Sequence, residues 1–160
     1  MEKKVFIING RSGVGKDTLI NILAEKFPVR NVSSVDQIKL GAMVLGWDGV
    51  KDERGRQFLI DIKASAVKYG DLPTQHMAAR YDEFMRSEDQ FMFIHIREIS
   101  EIEKLVAKIS CKTLLITRQM ENVFDNIQDD CVAQYNYDII FANDKPLEQS
   151  GKDFIKLMTK

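Results

Sequence analysis

Residues 10–18 read Gly10-Arg11-Ser12-Gly13-Val14-Gly15-Lys16-Asp17-Thr18, and the setting of this stretch decides the fold. Gly10, Gly15 and Lys16 have the G-x-x-x-x-G-K spacing of a phosphate-binding P-loop. Before it, Val5-Phe6-Ile7-Ile8 is a short apolar run of the kind that forms a buried parallel strand. After it, Leu19, Ile20, Leu23 and Phe27 recur at helical spacing. Strand, glycine-rich turn and helix in that order give the loop its chemistry. Glycines let successive backbone N–H groups point into one concavity, and the helix N-terminus adds positive potential. Gly10, Arg11, Ser12, Gly13, Val14, Gly15, Lys16, Asp17 and Thr18 are therefore expected to cradle the phosphates of ATP, with Lys16 reaching the outer ones. The residue after the lysine is usually Ser or Thr, whose hydroxyl binds magnesium. Here it is Asp17, followed by Thr18. Asp17 has two compatible readings: a helix-start carboxylate favoured by the dipole, or a magnesium ligand, since hard cations take carboxylate oxygen. Asp17 and Thr18 are the metal candidates.

Working outward, strands are expected at about Lys4–Asn9, Val29–Ser34, Phe91–Ile96, Lys112–Thr117 and Tyr137–Ala142. Helices are expected at about Lys16–Lys26, Val35–Leu45, Glu53–Tyr69 and Thr74–Arg86. Ser100 with Glu103 reads as a capping box opening a further helix that carries Ile102, Leu105, Val106 and Ile109. A last helix is expected over Pro146–Met158, interrupted by Gly151. The stretch 118–134 is polar, acidic and poorly periodic, and reads as a loop with at most a short helix. Short buried strands alternating with helices argue an α/β fold of three layers: five mainly parallel strands with helices on both faces. In such sheets ligands bind beyond the carboxyl ends of the strands. The functional candidates are therefore the residues after each strand: the loop itself, Ser34 to Asp36, Arg97 with Glu98, Arg118, and Asn143 with Asp144.

The chain has 160 residues, enough for one domain with a real core. Its net charge of −1 provides no global basic field, so no nucleic-acid partner is expected. No apolar run is long enough to span a bilayer, and none reads as a targeting signal, because the stretch 5–8 runs straight into the loop. Cys111 and Cys131 have no metal-like spacing and read as reduced residues of a cytoplasmic protein.

The sequence resembles a known family. Gly15-Lys16-Asp17-Thr18 is similar to the P-loop variant of phage-type deoxynucleoside monophosphate kinases and of animal-type phosphomevalonate kinases. Phe93-Ile94-His95-Ile96-Arg97-Glu98 followed by Glu101-Ile102 looks like their third strand and turn, a D-x-R element before an acidic helix start. Tyr137-Asp138-Ile139-Ile140-Phe141-Ala142-Asn143-Asp144, then Leu147-Glu148, resembles their closing strand and helix. The resemblance implies a P-loop NTPase fold, helices covering an acceptor at about 35–88, and a lid over about 118–134. It implies ATP- and magnesium-dependent phosphoryl transfer to a small phosphorylated acceptor, a ribo- or deoxynucleoside monophosphate. Two alternatives stand beside it: a kinase of another phosphometabolite such as phosphomevalonate, and a nucleotide-binding regulatory protein with little turnover. Two departures favour the last. His95 stands where the family has Asp, and 118–134 holds a single arginine where such lids carry several.

Phosphoryl transfer needs charge neutralisation and alignment more than covalent chemistry. Lys16, Arg97 and Arg118 are the catalytic candidates. Arg97 reads either as a bidentate clamp on an acceptor phosphate or as an ion-pair partner of Glu98 or Glu101. Arg118 reads as a lid arginine or as a structural salt bridge. Asp36, Lys39 and Arg56 are acceptor-side candidates, each against the alternative of a solvated charge. Asn143, by resemblance, joins the ATP-binding set. Trp47 either stacks on a base or closes the edge of the core. His95, between Ile94 and Ile96, reads as a satisfied core histidine unless its face of the strand is the one that meets the phosphates.

Overall fold

The computed structural model describes residues 2–119 and 131–160. Five strands form one sheet in the order β2-β3-β1-β4-β5, every neighbouring pair parallel. The strands are β1 (Lys4–Asn9), β2 (Val29–Ser33), β3 (Phe91–His95), β4 (Lys112–Thr117) and β5 (Ile139–Ala142). The helices are α1 (Lys16–Ala24), α2 (Asp36–Val44), α3 (Glu53–Gly70), α4 (Leu72–Arg86), α5 (Ile99–Val106) and α6 (Leu147–Thr159), with a 3-10 turn at Cys131–Gln134. No helix among the described residues is long and apolar enough to cross a membrane.

Both faces of the sheet are covered, and strand alternation divides the core between them. Phe6 and Ile8 of β1, with Phe91 and Phe93 of β3, pack under Leu19, Ile20 and Leu23 of α1 and Phe154 and Met158 of α6. Val5 and Ile7, with Met92 and Ile94, pack against Met77 and Phe84 of α4 and Ile102 and Leu105 of α5. Phe6 stacks on Phe93 at 5.4 Å between ring centroids, and Phe154 meets Phe141 edge-on at 5.4 Å. Such pairs add about 0.5–1.5 kcal/mol each beyond area burial. The loop after β1 thus leaves the central strand of the sheet.

Three local expectations are corrected. The capping box does not form: α5 starts at Ile99 with Glu98 as N-cap, and no side chain caps it. The Glu98 carbonyl already accepts from Glu101 N and Ile102 N, so the helix has begun before Ser100. Strand β5 starts two residues late, because Asp138 pairs through its side chain: its carboxylate accepts from Thr113 N at 2.7 Å and Thr113 Oγ1 at 2.8 Å. Gly151 does not interrupt α6, which runs unbroken to Thr159. It is buried instead at the crossing of α6 and α1, where a Cβ would stand 3.1 Å from two carbons of Ile22. Gly151→Leu should therefore overpack this crossing and cost about 1–3 kcal/mol. At about 2–4 °C per kcal/mol, a thermal melt should fall by several degrees. An unchanged melt would mean that α6 slides off α1 freely.

Candidate active site

The glycine-rich turn has the backbone its sequence demands. Gly13 and Gly15 take φ of 80° and 91°, and Gly10 takes 150°. A Cβ at Gly10 would stand 2.5 Å from the Ile116 carbonyl oxygen of β4, so only glycine lets the chain leave β1 here. Val14 turns inward into the core while Ser12 and Gly13 face solvent. Gly15 is the N-cap of α1 and makes no side-chain cap, so the positive end of that helix points at the loop. Lys16 Nζ folds back over the turn and donates to the carbonyls of Gly10 at 2.5 Å and Arg11 at 2.9 Å.

Two asparagines hold this loop from beneath. Asn9 accepts from Gly10 N at 2.9 Å through Oδ1 and donates through Nδ2 to Tyr137 Oη at 3.0 Å and to the Arg97 carbonyl at 3.2 Å. Tyr137 in turn donates to the Val132 carbonyl at 2.8 Å, linking the start of the loop to the 3-10 turn. Asn143 is buried and donates to the Val14 carbonyl at 2.8 Å. The expected nucleotide residue Asn143 thus braces the loop with its amide. Asp144 accepts from Gln119 N at 2.7 Å and ties the end of β4 to the turn before α6.

Beside Lys16, side chains from three elements meet. Asp17 Oδ1, at the start of α1, lies 3.6 Å from His95 Nε2 and 3.5 Å from Asn31 Nδ2. His95 Nε2 is 2.8 Å from Asn31 Oδ1. His95 therefore faces α1 and the loop, the face that alternation alone left open. Burial pushes its imidazole pKa down, partly offset by Asp17. Asp17 is 75% exposed, and Thr18 is exposed next to it. An exposed carboxylate and hydroxyl directly after the P-loop lysine fit a hard divalent cation, whose ligands are oxygens. Asp17→Ala should shift a magnesium titration of nucleotide binding, and Thr18→Ala should shift it less. If only Thr18→Ala moves the curve, Asp17 is a helix-start residue.

On the acceptor side, Asp36 spends one carboxylate oxygen on Ser33 N at 2.8 Å and pins the turn from β2 into α2. Lys39 is half-buried on α2, and Arg56 is exposed in the first turn of α3. Arg97 is exposed just past β3 and makes no ion pair among the described residues. Its suggested partners are taken by another cation: Lys63 of α3 lies 2.8 Å from Glu98 Oε1 and 3.0 Å from Glu101 Oε1. Burial opposes the charge on Lys63, but these two carboxylates outweigh it and raise its pKa. Sequence spacing gave no sign of Lys63. Arg118 is exposed at the end of β4, and most of the lid segment, 120–130, lies outside the described residues. Trp47 is half-buried, and its Nε1 donates to the Val50 carbonyl at 3.1 Å, which folds the loop before α3. Cys111 is a free thiol, pushed up to about 11 by burial.

The arrangement of five parallel strands with helices on both faces is shared with solved proteins of very different sequence. The tunicamycin resistance protein of Deinococcus radiodurans superposes with a TM-score of 0.63 at 10% identity, covering 98% of this chain and 96% of that one. The APS kinase of Mycobacterium tuberculosis superposes with a TM-score of 0.53 at 10% identity over 99% of each chain. The shikimate kinase of Aquifex aeolicus does so with a TM-score of 0.52 at 13% identity, covering 97% of this chain and 96% of that one. The fold is the three-layer α/β fold of these proteins, five parallel strands with helices on both faces. No family model and no curated protein matches the sequence. Within this fold, the loop, Asn9, Asn143, Asp17 and His95 stand together at one edge of the sheet. Arg56 and Arg118 carry no contact that joins them to it among the described residues.

Proposed function

We propose that this chain transfers the terminal phosphate of ATP to the phosphate of a small acceptor, a ribo- or deoxynucleoside monophosphate. The observation that carries the reading is the juxtaposition of a complete phosphate loop with an arginine, Arg97, whose neighbouring carboxylates are neutralised by Lys63. In the reaction an acceptor phosphate oxygen attacks the terminal phosphorus of ATP, a new anhydride bond forms, the bond to the bridging oxygen breaks, and ADP leaves. The loop amides and Lys16 take the charge of the donor phosphates, and an arriving triphosphate displaces Lys16 from the Gly10 and Arg11 carbonyls. Asp17, with Thr18, is the place for the divalent cation that accompanies ATP, magnesium by default; the cation would neutralise charge on the transferring group. Arg97 holds the acceptor phosphate bidentately, with Arg56, Lys39 and Asp36 along the helices that cover it. Arg118 acts from the lid at about 118–134.

The test is direct. The protein, ATP, magnesium and a panel of ribo- and deoxynucleoside monophosphates plus phosphomevalonate are mixed and ADP is followed. ADP formation that depends on one nucleoside monophosphate is the expected result. Dependence on phosphomevalonate alone would move the site to that acceptor. A second reading, a nucleotide-binding regulatory protein, is favoured by His95 where the resemblance expects a carboxylate; tight ATP binding with no ADP from any acceptor would support it.

A further inference from the structure

The contacts of His95 form a donor set. The side chain leaves β3 on the α1 face of the sheet, the face that also carries Phe91 and Phe93. Asn31 is on the neighbouring strand, in register with Phe93. His95 Nε2 therefore has two oxygens around it from two other elements, Asn31 Oδ1 at 2.8 Å and Asp17 Oδ1 at 3.6 Å. Donor atoms that bind one cation at about 2.0–2.2 Å lie about 2.8–3.6 Å from each other in tetrahedral or octahedral geometry. The His95–Asn31 and His95–Asp17 distances both fall in that range, while the Asn31 amide nitrogen lies 3.5 Å from Asp17 Oδ1. The second oxygen of Asp17 remains on an exposed carboxylate, directly after the lysine of the phosphate loop.

We infer that the cation accompanying the nucleotide is held on its protein side by His95 Nε2 together with the Asp17 carboxylate, with the Asn31 amide oxygen beside them. The site is then built for a first-row cation that accepts nitrogen, such as Co2+, Ni2+ or Zn2+, in preference to Mg2+. The reason is ligand chemistry: imidazole suits the borderline transition metals, whereas Mg2+ takes oxygen and keeps its waters. This rests on the reading of residues 10–18 as a triphosphate loop. The competing account is a strut, in which His95 donates to Asn31 and touches no ion.

Mn2+ is the probe, because it is paramagnetic and binds with ATP. The protein is prepared with 15N-labelled histidine, saturated with Mn2+ and ATP, and studied by pulsed electron paramagnetic resonance. Coupling of the manganese to a 15N nucleus is expected, which excludes the unlabelled adenine as its source. The coupling should survive His76→Asn and vanish in His95→Asp. Calorimetry should show that the wild type binds Co2+–ATP at least about tenfold more tightly than Mg2+–ATP, and that His95→Asp removes most of this difference. Bound Mn2+–ATP without histidine coupling would overturn the inference and leave the loop reading intact. Coupling that depends on His76 would overturn it equally. Absence of any nucleotide binding would remove the loop reading and the inference together. The labelled wild type answers the question even if His95→Asp fails to fold.

Discussion

Lys16→Ala is expected to leave the fold intact and to weaken ATP binding by at least about tenfold, since a charge-assisted phosphate contact contributes about 1.5–3 kcal/mol. The fold should survive because Lys16 is half-buried at the surface of the loop, and the two carbonyls it donates to belong to that same loop. The loop itself is held by Asn9, Asn143 and the inward Val14, none of which needs the ammonium. Isothermal titration with ATP measures the loss, and a thermal melt checks the fold. Unchanged affinity would remove Lys16 from the nucleotide site.

Arg97→Ala separates acceptor from donor. Loss of a bidentate phosphate contact costs about 2–4 kcal/mol, so kcat/KM for the acceptor should fall about 30- to 900-fold. ATP affinity should stay nearly constant, because the Arg97 side chain is exposed and only its carbonyl contacts Asn9 beneath the loop. The melt should also be unchanged, since Arg97 makes no ion pair among the described residues. If ATP binding weakens as much as it does in Lys16→Ala, Arg97 is a donor-side residue and the acceptor assignment fails.

The phosphate loop was legible because glycine spacing is a backbone requirement: Gly10 meets the Ile116 carbonyl and leaves no room for a Cβ. The strands were legible because β1, β3 and β4 are buried on both faces and read as continuous apolar runs. The orientation of His95 was not legible. Period two places it opposite Ile94, but only the packing of α1 on the Phe91–Phe93 face says which side holds the loop. The braces Asn9 and Tyr137 were hidden for a related reason. Each is a single polar group at the end of an apolar run, and its partner lies 128 positions away in sequence. Lys63 was hidden inside an ordinary helical pattern, because its meaning comes from Glu98 and Glu101 on another element. Gly151 misled in the other direction. A glycine inside a helix reads as a break, yet here it is the close approach of α6 to α1.

The proposed reaction moves a phosphate, where a regulatory protein would only bind one. The most direct measurement supplies ATP labelled in its terminal phosphate, with a divalent cation and the nucleoside monophosphate that supports ADP formation, and separates the products. The label is expected to move to the acceptor as a new anhydride in equal amount to the ADP formed, and Lys16→Ala is expected to abolish the transfer. Label recovered only in ATP, or only as free phosphate with every acceptor, would contradict it.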